Sequence, residues 1–204
     1  MLEHELVSID TFLPGIVINV PDAPEPLIQH QLLLTLQDFC EHSCYWRERL
    51  ADVFTIDGIS SYSLEGPGDT NIVKVLTVKD AQGSPLTLRS APRSGEQWWW
   101  QSQPGVLEVY AEVGEQFLQV TAAVKPGANA TQVSRTLLSD YREAIEQGTL
   151  AKLYAMPNKP WSAPHAVPMA QGLYRQDRDQ AARKAGRGFS TTPRRYQPKP
   201  RNFF

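Results

Sequence analysis

The chain has no apolar run approaching the roughly 18–20 residues that cross a bilayer, so an integral membrane protein is not expected. It has two cysteines in 204 residues, Cys40 and Cys44. Their spacing places them one helical turn apart on one face. A disulfide there would be strained, and a reduced, cytosolic chain is the better expectation. The run Cys40-Glu41-His42-Ser43-Cys44 has metal-binding residue types, but zinc takes four ligands as a rule and no second Cys/His cluster completes the set. No metal and no cofactor are therefore expected. The start, Met1-Leu2-Glu3-His4-Glu5, is acidic and has no basic n-region, so no secretory signal is expected.

Catalytic signatures are missing as well. G-x-S-x-G, the G-x-x-x-x-G-K-[ST] phosphate loop, H-E-x-x-H and G-x-G-x-x-G do not occur. His4, His30, His42 and His165 are dispersed. His42 stands two residues from each cysteine, a spacing that points helical side chains to different faces. Acidic pairs such as Asp52 and Asp57 suit turns and caps better than acid/base couples. A non-enzymatic protein is expected. No internal repeat appears.

What is present is an uneven distribution of charge. The formal net charge is -2. Residues 1–171 carry 11 basic and 20 acidic side chains, a net of -9. Residues 172–204 carry 9 basic and 2 acidic, a net of +7. An acidic body with a basic end is a common arrangement for docking on acidic protein or nucleic acid. Sixteen prolines, seven of them at or beyond Pro157, are also concentrated towards that end.

The periodicity predicts an α+β protein. Residues 8–25, broken by Pro14, Gly15, Pro21 and Pro24, read as an extended arm or short turn that packs against something else, with Ser8-Ile9-Asp10-Thr11 able to cap it. From Glu25 the pattern is helical, with Ile28, Leu32, Thr35, Leu36, Phe39, Cys40 and Ser43 on one buried face. That helix is expected to reach about Trp46 and to close on Arg47 and Arg49. Leu33 and Leu34 widen its apolar face towards a second set of contacts. Residues 52–124 read as six short strands with antiparallel pairing, centred on Asn71–Lys79. The last two, Val106–Val113 and Gln116–Val124, are expected to form a hairpin around Gly114-Glu115. A helix then carries Val133, Leu137, Leu138, Tyr141, Ala144 and Ile145, started by Thr131 or Ser134, hinged at Gly148 and ended near Pro157. A last helix, about Val167 to Ala185, has a thin apolar stripe of Met169, Leu173, Ala181 and Ala182. The expected architecture is a helical bundle with an inserted antiparallel β-subdomain and an extended C-terminal tail. Its parts are residues 1–51 (arm and first long helix), 52–125 (β-subdomain), 126–186 (C-terminal helices) and 187–204 (tail).

Two segments are candidates for contact with other molecules. Trp98-Trp99-Trp100 in a strand would send its outer pair to one face and Trp99 to the other. One or two of these rings can fill the β-core. The set also suits a subunit interface, where Trp is enriched, and with Leu33 and Leu34 it makes the subunit-interface candidates. A carbohydrate or nucleobase platform is a further reading. The tail spaces Arg187, Phe189, Arg194, Arg195, Tyr196, Lys199, Arg201, Phe203 and Phe204 among prolines without core periodicity. Such a segment is disordered or extended alone and suited to grooves on a partner.

Several stretches together resemble a known family. They are Asp10-Thr11-Phe12-Leu13-Pro14, Pro21 to Pro26, and Gln31 to Cys40 running on through Glu41-His42-Ser43-Cys44-Tyr45-Trp46-Arg47. Ile72-Val73-Lys74-Val75 and Gly83-Ser84-Pro85-Leu86 follow. Tyr141 to Leu153 and Pro157-Asn158-Lys159-Pro160-Trp161-Ser162 complete the set. These resemble the head-to-tail adaptor (neck or connector) proteins of tailed bacteriophages, over most of the chain and least in the basic tail. The motifs are structural rather than catalytic. The resemblance implies a helical bundle with a β-rich insert, in a ring of usually twelve copies beneath the portal and lining the DNA channel. It places the protein in the virion neck, synthesised in the host cytoplasm, between portal protein and tail or nozzle proteins. It further implies that the C-terminal segment reaches the neighbouring ring component. An acidic body fits a channel through which DNA slides without sticking, since phosphate binding scales with the cations presented. The alternative is a nucleic-acid-binding accessory protein acting through the basic tail.

Overall fold

A computed structural model describes residues 5–89, 98–109 and 114–187. The described chain is a mixed α+β protein with four helices and largely antiparallel sheets. Of the two readings of the N-terminal segment, the short turn that packs against the rest holds and the extended arm does not. Leu6–Ser8 form strand β1, Ile9–Phe12 a 3-10 turn and Leu13–Val17 helix α1. The Ser8 hydroxyl caps the turn by accepting from the Asp10 amide at 3.2 Å. Phe12, Ile16 and Val20 have no exposed surface. Pro14 is tolerated because it sits in the first turn of α1, where its missing N–H has no acceptor to lose.

Helix α2 (Glu25–Ser43) buries Ile28, Leu32, Thr35, Leu36, Phe39, Cys40 and Ser43, the face read from the spacing. It ends earlier than expected. Cys44 takes a left-handed conformation (φ 50°) and its amide donates to the Cys40 carbonyl at 2.9 Å. The two cysteines therefore do not share a helical face, and both are free thiols. Arg47 and Arg49 do not close the helix; they lie on strand β2 (Arg47–Arg49).

The remaining strands are β3 (Val53–Phe54), β4 (Ser61–Ser63), β5 (Thr70–Lys79), β6 (Thr87–Leu88), β7 (Trp98–Gln103), β8 (Val106–Val109), β9 (Phe117–Pro126) and β10 (Gln132–Ser134). Strand β9 is the spine of the main sheet. It pairs antiparallel with β5 on one side and with β2 and β3 in succession on the other. Helix α2 packs on it, and Leu118, Val120, Ala122, Ala123 and Val124 are all buried. On β5 the buried residues are Ile72, Val75 and Val78, three apart rather than two. Register shifts between Ile72 and Lys74 and between Val75 and Thr77 explain this, because each irregularity resets which face the next side chain meets.

Of the expected hairpin of the last two strands, residues 110–113 next to the turn lie outside the described residues; the described part of the first strand does not pair with the second. Strand β8 pairs with β7 and β4, in a second sheet ordered β4-β8-β7-β6, while β9 belongs to the main sheet. The hairpin is β7–β8, turning at Pro104-Gly105, and Gly105 supplies the φ of +78° that the turn needs. Pairing is also not wholly antiparallel, since β6 runs parallel to β7. The side chain of Gln101 ties the two sheets by accepting from the Val75 amide at 2.8 Å.

Val133 is a strand residue, not a helical one: β10 pairs with β1, Val133 facing Val7. Helix α3 (Arg135–Tyr154) follows, and Ser134 holds its N-cap position. The Ser134 hydroxyl bonds to that of Thr136 at 2.9 Å rather than to the backbone. The break in α3 is not at Gly148 but at Tyr141 (φ -136°, ψ 21°). The Tyr141 ring lies 5.1 Å from Phe39 and 4.8 Å from Tyr45. Helix α4 (Val167–Gly186) packs on both α2 and α3. Its buried stripe is Ala170, Tyr174, Ala181 and Ala185, whereas Met169 and Leu173 are exposed. The expected stripe was one residue out of phase at its start, because two large apolar side chains outweighed the amphipathic Tyr174.

Candidate interaction surfaces

Cys40 and His42 are not placed as a nucleophile and its base. Cys40 is fully buried in the core, and burial, reinforced by Cys44, pushes its thiol well above the ordinary value of 9.0. A nucleophilic cysteine needs the opposite shift. His42 spends Nδ1 on the Asp38 carbonyl at 2.9 Å, on its own helix. Among the described residues, no group of three or more His, Cys, Asp and Glu side chains is placed to hold a metal ion. Also among them, no helix is long and apolar enough to cross a membrane.

The tryptophans alternate as strand geometry requires. Trp99 is buried, and its indole N–H donates to the Leu86 carbonyl at 3.2 Å. Trp98 and Trp100 are half-buried on the other face, with the Trp100 N–H on Glu108 at 3.1 Å. Leu33 is half-buried against the core and Leu34 is exposed. Leu32 and Leu36, which widen the same apolar run, are spent on the protein's own core. Arg187 is exposed at the C-terminus of α4. Phe189, Arg194, Arg195, Tyr196, Lys199, Arg201, Phe203 and Phe204 lie outside the described residues.

A patch that the periodicity did not single out sits at one end of the main sheet. Along Val53–Ile56 the usual polarity is inverted: Thr55 is buried, while Phe54 and Ile56 are 45% and 46% exposed. Two bonds lock that register. The Thr55 hydroxyl donates to the Gly114 carbonyl at 2.6 Å and accepts from the Gln116 amide at 3.0 Å. Phe54 faces Phe117 across the strands, with ring centroids 5.0 Å apart. In the turn beyond β3, Ile59 is 45% exposed and its amide donates to the Ile56 carbonyl at 3.0 Å. Gly58 allows that turn with φ +80°. The Tyr62 hydroxyl pins it, accepting from the Ile56 amide at 2.9 Å and donating to the Ile59 carbonyl at 2.8 Å. The sequence signal was there, in a Val-Phe-Thr-Ile alternation whose one polar member falls between two large apolar ones.

The helices meet around a polar cluster. The Tyr174 hydroxyl donates to Asp38 at 2.5 Å, and Arg178 reaches the same carboxylate at 3.3 Å while its guanidinium lies 5.8 Å from the Tyr174 ring centre. Burial, and then the Asp38 bond, push the Tyr174 phenol far above its ordinary value. On α3, Gly148 packs tightly against this cluster. A Cβ there would stand 2.6 Å from Tyr174 and 2.8 Å from Thr35. Beside it, burial lowers the Lys152 ammonium, partly offset by Asp38.

Among the described residues, a cleft of about 660 Å³ lies between β2 and the loop around Asp69. Trp46 and Leu6 give it apolar wall, and Glu5, Glu48 and Asp69 are its charged lining, with no Lys, Arg or His among the lining residues. The Trp46 indole N–H donates to Glu48 at 2.6 Å. No protein-family model matches this chain, and no curated protein matches it.

Proposed function

We propose that the protein is a structural head-to-tail adaptor of a tailed bacteriophage. It forms a ring, of about twelve copies as the resemblance implies, beneath the portal and around the DNA channel. In this reading the helices α2, α3 and α4 are the bundle and the two β-sheets its inserted part, with residues 187–204 reaching the portal. The observation that carries the assembly role is the inverted strand. Thr55 is turned inward on two hydrogen bonds while Phe54, Ile56, Ile59 and Phe117 face out. A register locked that way leaves apolar surface that a monomer has no use for, and such patches mark interaction sites. The excess of carboxylates in residues 1–171 suits a surface that stands beside DNA without holding it.

Native mass of the chain, alone and with portal rings, tests this. A closed ring on the portal is expected. Replacing Phe54 and Phe117 together by Ser should leave the monomer folded and prevent ring closure. A chain that stays monomeric with and without portal overturns the reading. The basic tail favours a second reading, nucleic-acid binding. Duplex affinity falling steeply with salt, at about -0.9 log units per log of salt for each phosphate neutralised, would identify it.

A further inference from the structure

We propose that the cleft between β2 and the loop around Asp69 is the docking groove of the chain's own C-terminal segment, residues 188–204. Three independent features point to that occupant. The first is charge. Among the described residues, Glu5, Glu48 and Asp69 line the cleft without a cation in the lining; Glu5 pairs with the exposed Arg135 at 2.6 Å and Glu48 accepts from the Trp46 indole N–H. Residues 188–204 hold Arg194, Arg195, Lys199 and Arg201 and no acidic residue.

The second is apolar fit. The cleft presents Leu6, 47% exposed, and the exposed Pro67, while Trp46 is buried. The segment carries Phe189, Tyr196, Phe203 and Phe204 to cover them. The third is where the described chain ends. The Arg47 guanidinium donates to the carbonyl of Ala185, so the last turn of α4 is fastened to one side of β2. Trp46 and Glu48 alternate with Arg47 and project to the other side, into the cleft. Helix α4 thus ends beside β2, the strand that carries Glu48 of the cleft lining. The seventeen residues of the segment reach about 56 Å when extended.

Docking in cis needs little intrinsic affinity. A tether this short presents the segment at an effective concentration on the order of 1 mM. The inference does not rest on the adaptor reading. On that reading, it also keeps the segment from engaging a partner before the ring meets the portal.

Hydrogen exchange on the full-length chain tests it. The comparison is with a variant carrying Arg194→Glu, Arg195→Glu, Lys199→Glu and Arg201→Glu, whose far-UV circular dichroism should match the wild type. Amides of the loop at 65–69 and of 129–131 should exchange about tenfold faster in the variant. Amides of α2 and β9 should be unchanged. A milder pair, Glu48→Gln with Asp69→Asn, should give the same release from the opposite side. Equal rates in wild type and variant would overturn the proposal. So would protection that disappears on dilution, which assigns the groove to a neighbouring copy's tail. Protection seen only after portal rings are added would likewise overturn it, while leaving the adaptor reading intact.

Discussion

Gly148 reads in the sequence as a hinge, and its surroundings make it a packing residue. A hinge glycine replaced by alanine in a helix gains stability, by about 1 kcal/mol. Here the new methyl would meet the Tyr174 ring at 2.6 Å and Thr35 at 2.8 Å. Gly148→Ala should therefore destabilise the protein, by about 1–3 kcal/mol for overpacking. Urea denaturation gives the sign directly, and a stabilised variant would return Gly148 to the role of hinge. Phe12 decides a similar question. In an arm it would be dispensable; in the core, with no exposed surface, Phe12→Ala should cost about 3–5 kcal/mol. A midpoint shift near zero in the same assay would contradict its buried placement.

At the scale of elements, α4 is the informative one. Few of its side chains are apolar, and it is held by a stripe of small residues plus Tyr174, whose hydroxyl reaches Asp38. Tyr174 and Tyr45 both have phenols raised by burial and then by a carboxylate bond, and burial raises the Cys40 thiol. A raised folded-state value means that the native state holds protons the unfolded chain has lost. Their stabilisation is complete below the ordinary values, 9.0 for the thiol and 10.0 for the phenols, and declines as pH rises beyond them. Unfolding free energy should be flat from pH 7 to 8.5 and fall between pH 9 and 11. Tyr174→Phe should show a shallower alkaline fall. At neutral pH it should lose only about 0.5–1.5 kcal/mol, as for one hydrogen bond. An alkaline slope identical to that of the wild type would show that Tyr174 does not titrate with unfolding. Strand β3 makes the complementary point. Because Phe54 is 45% exposed, Phe54→Ser should change stability by less than about 1 kcal/mol, while weakening any self-association seen by sedimentation.

For the whole molecule, the separation of charge matters most. The exposed ion pairs of the body, such as Arg49–Asp52 and Arg135–Glu5, contribute little to stability individually. The excess of carboxylates instead sets which partners the body attracts and repels. Raising salt from 50 to 500 mM should leave the thermal midpoint nearly unchanged, because exposed pairs are weak and screened. It should increase exchange at the Asp69 loop if the tail is held there by charge. A salt-independent loop would place the holding force in the aromatics instead.

Much was legible from local pattern. The buried face of α2 and the alternation of Trp98, Trp99 and Trp100 follow from periods of 3.6 and 2, which the backbone imposes on any chain, and the strand at 71–79 from its β-branched residues. The charge division and the absence of a catalytic signature are properties of composition. What only the tertiary structure decided are the long-range choices. It paired β9 with β5 rather than with β8, and folded Phe12 and Ile16 into the core. It turned Thr55 inward, set Gly148 against Tyr174, and brought Glu5, Glu48 and Asp69 around one cleft. Each joins residues far apart in the chain, where local periodicity carries no information. The outcome there depends on which pairing buries the most apolar surface while leaving the fewest polar groups unpaired.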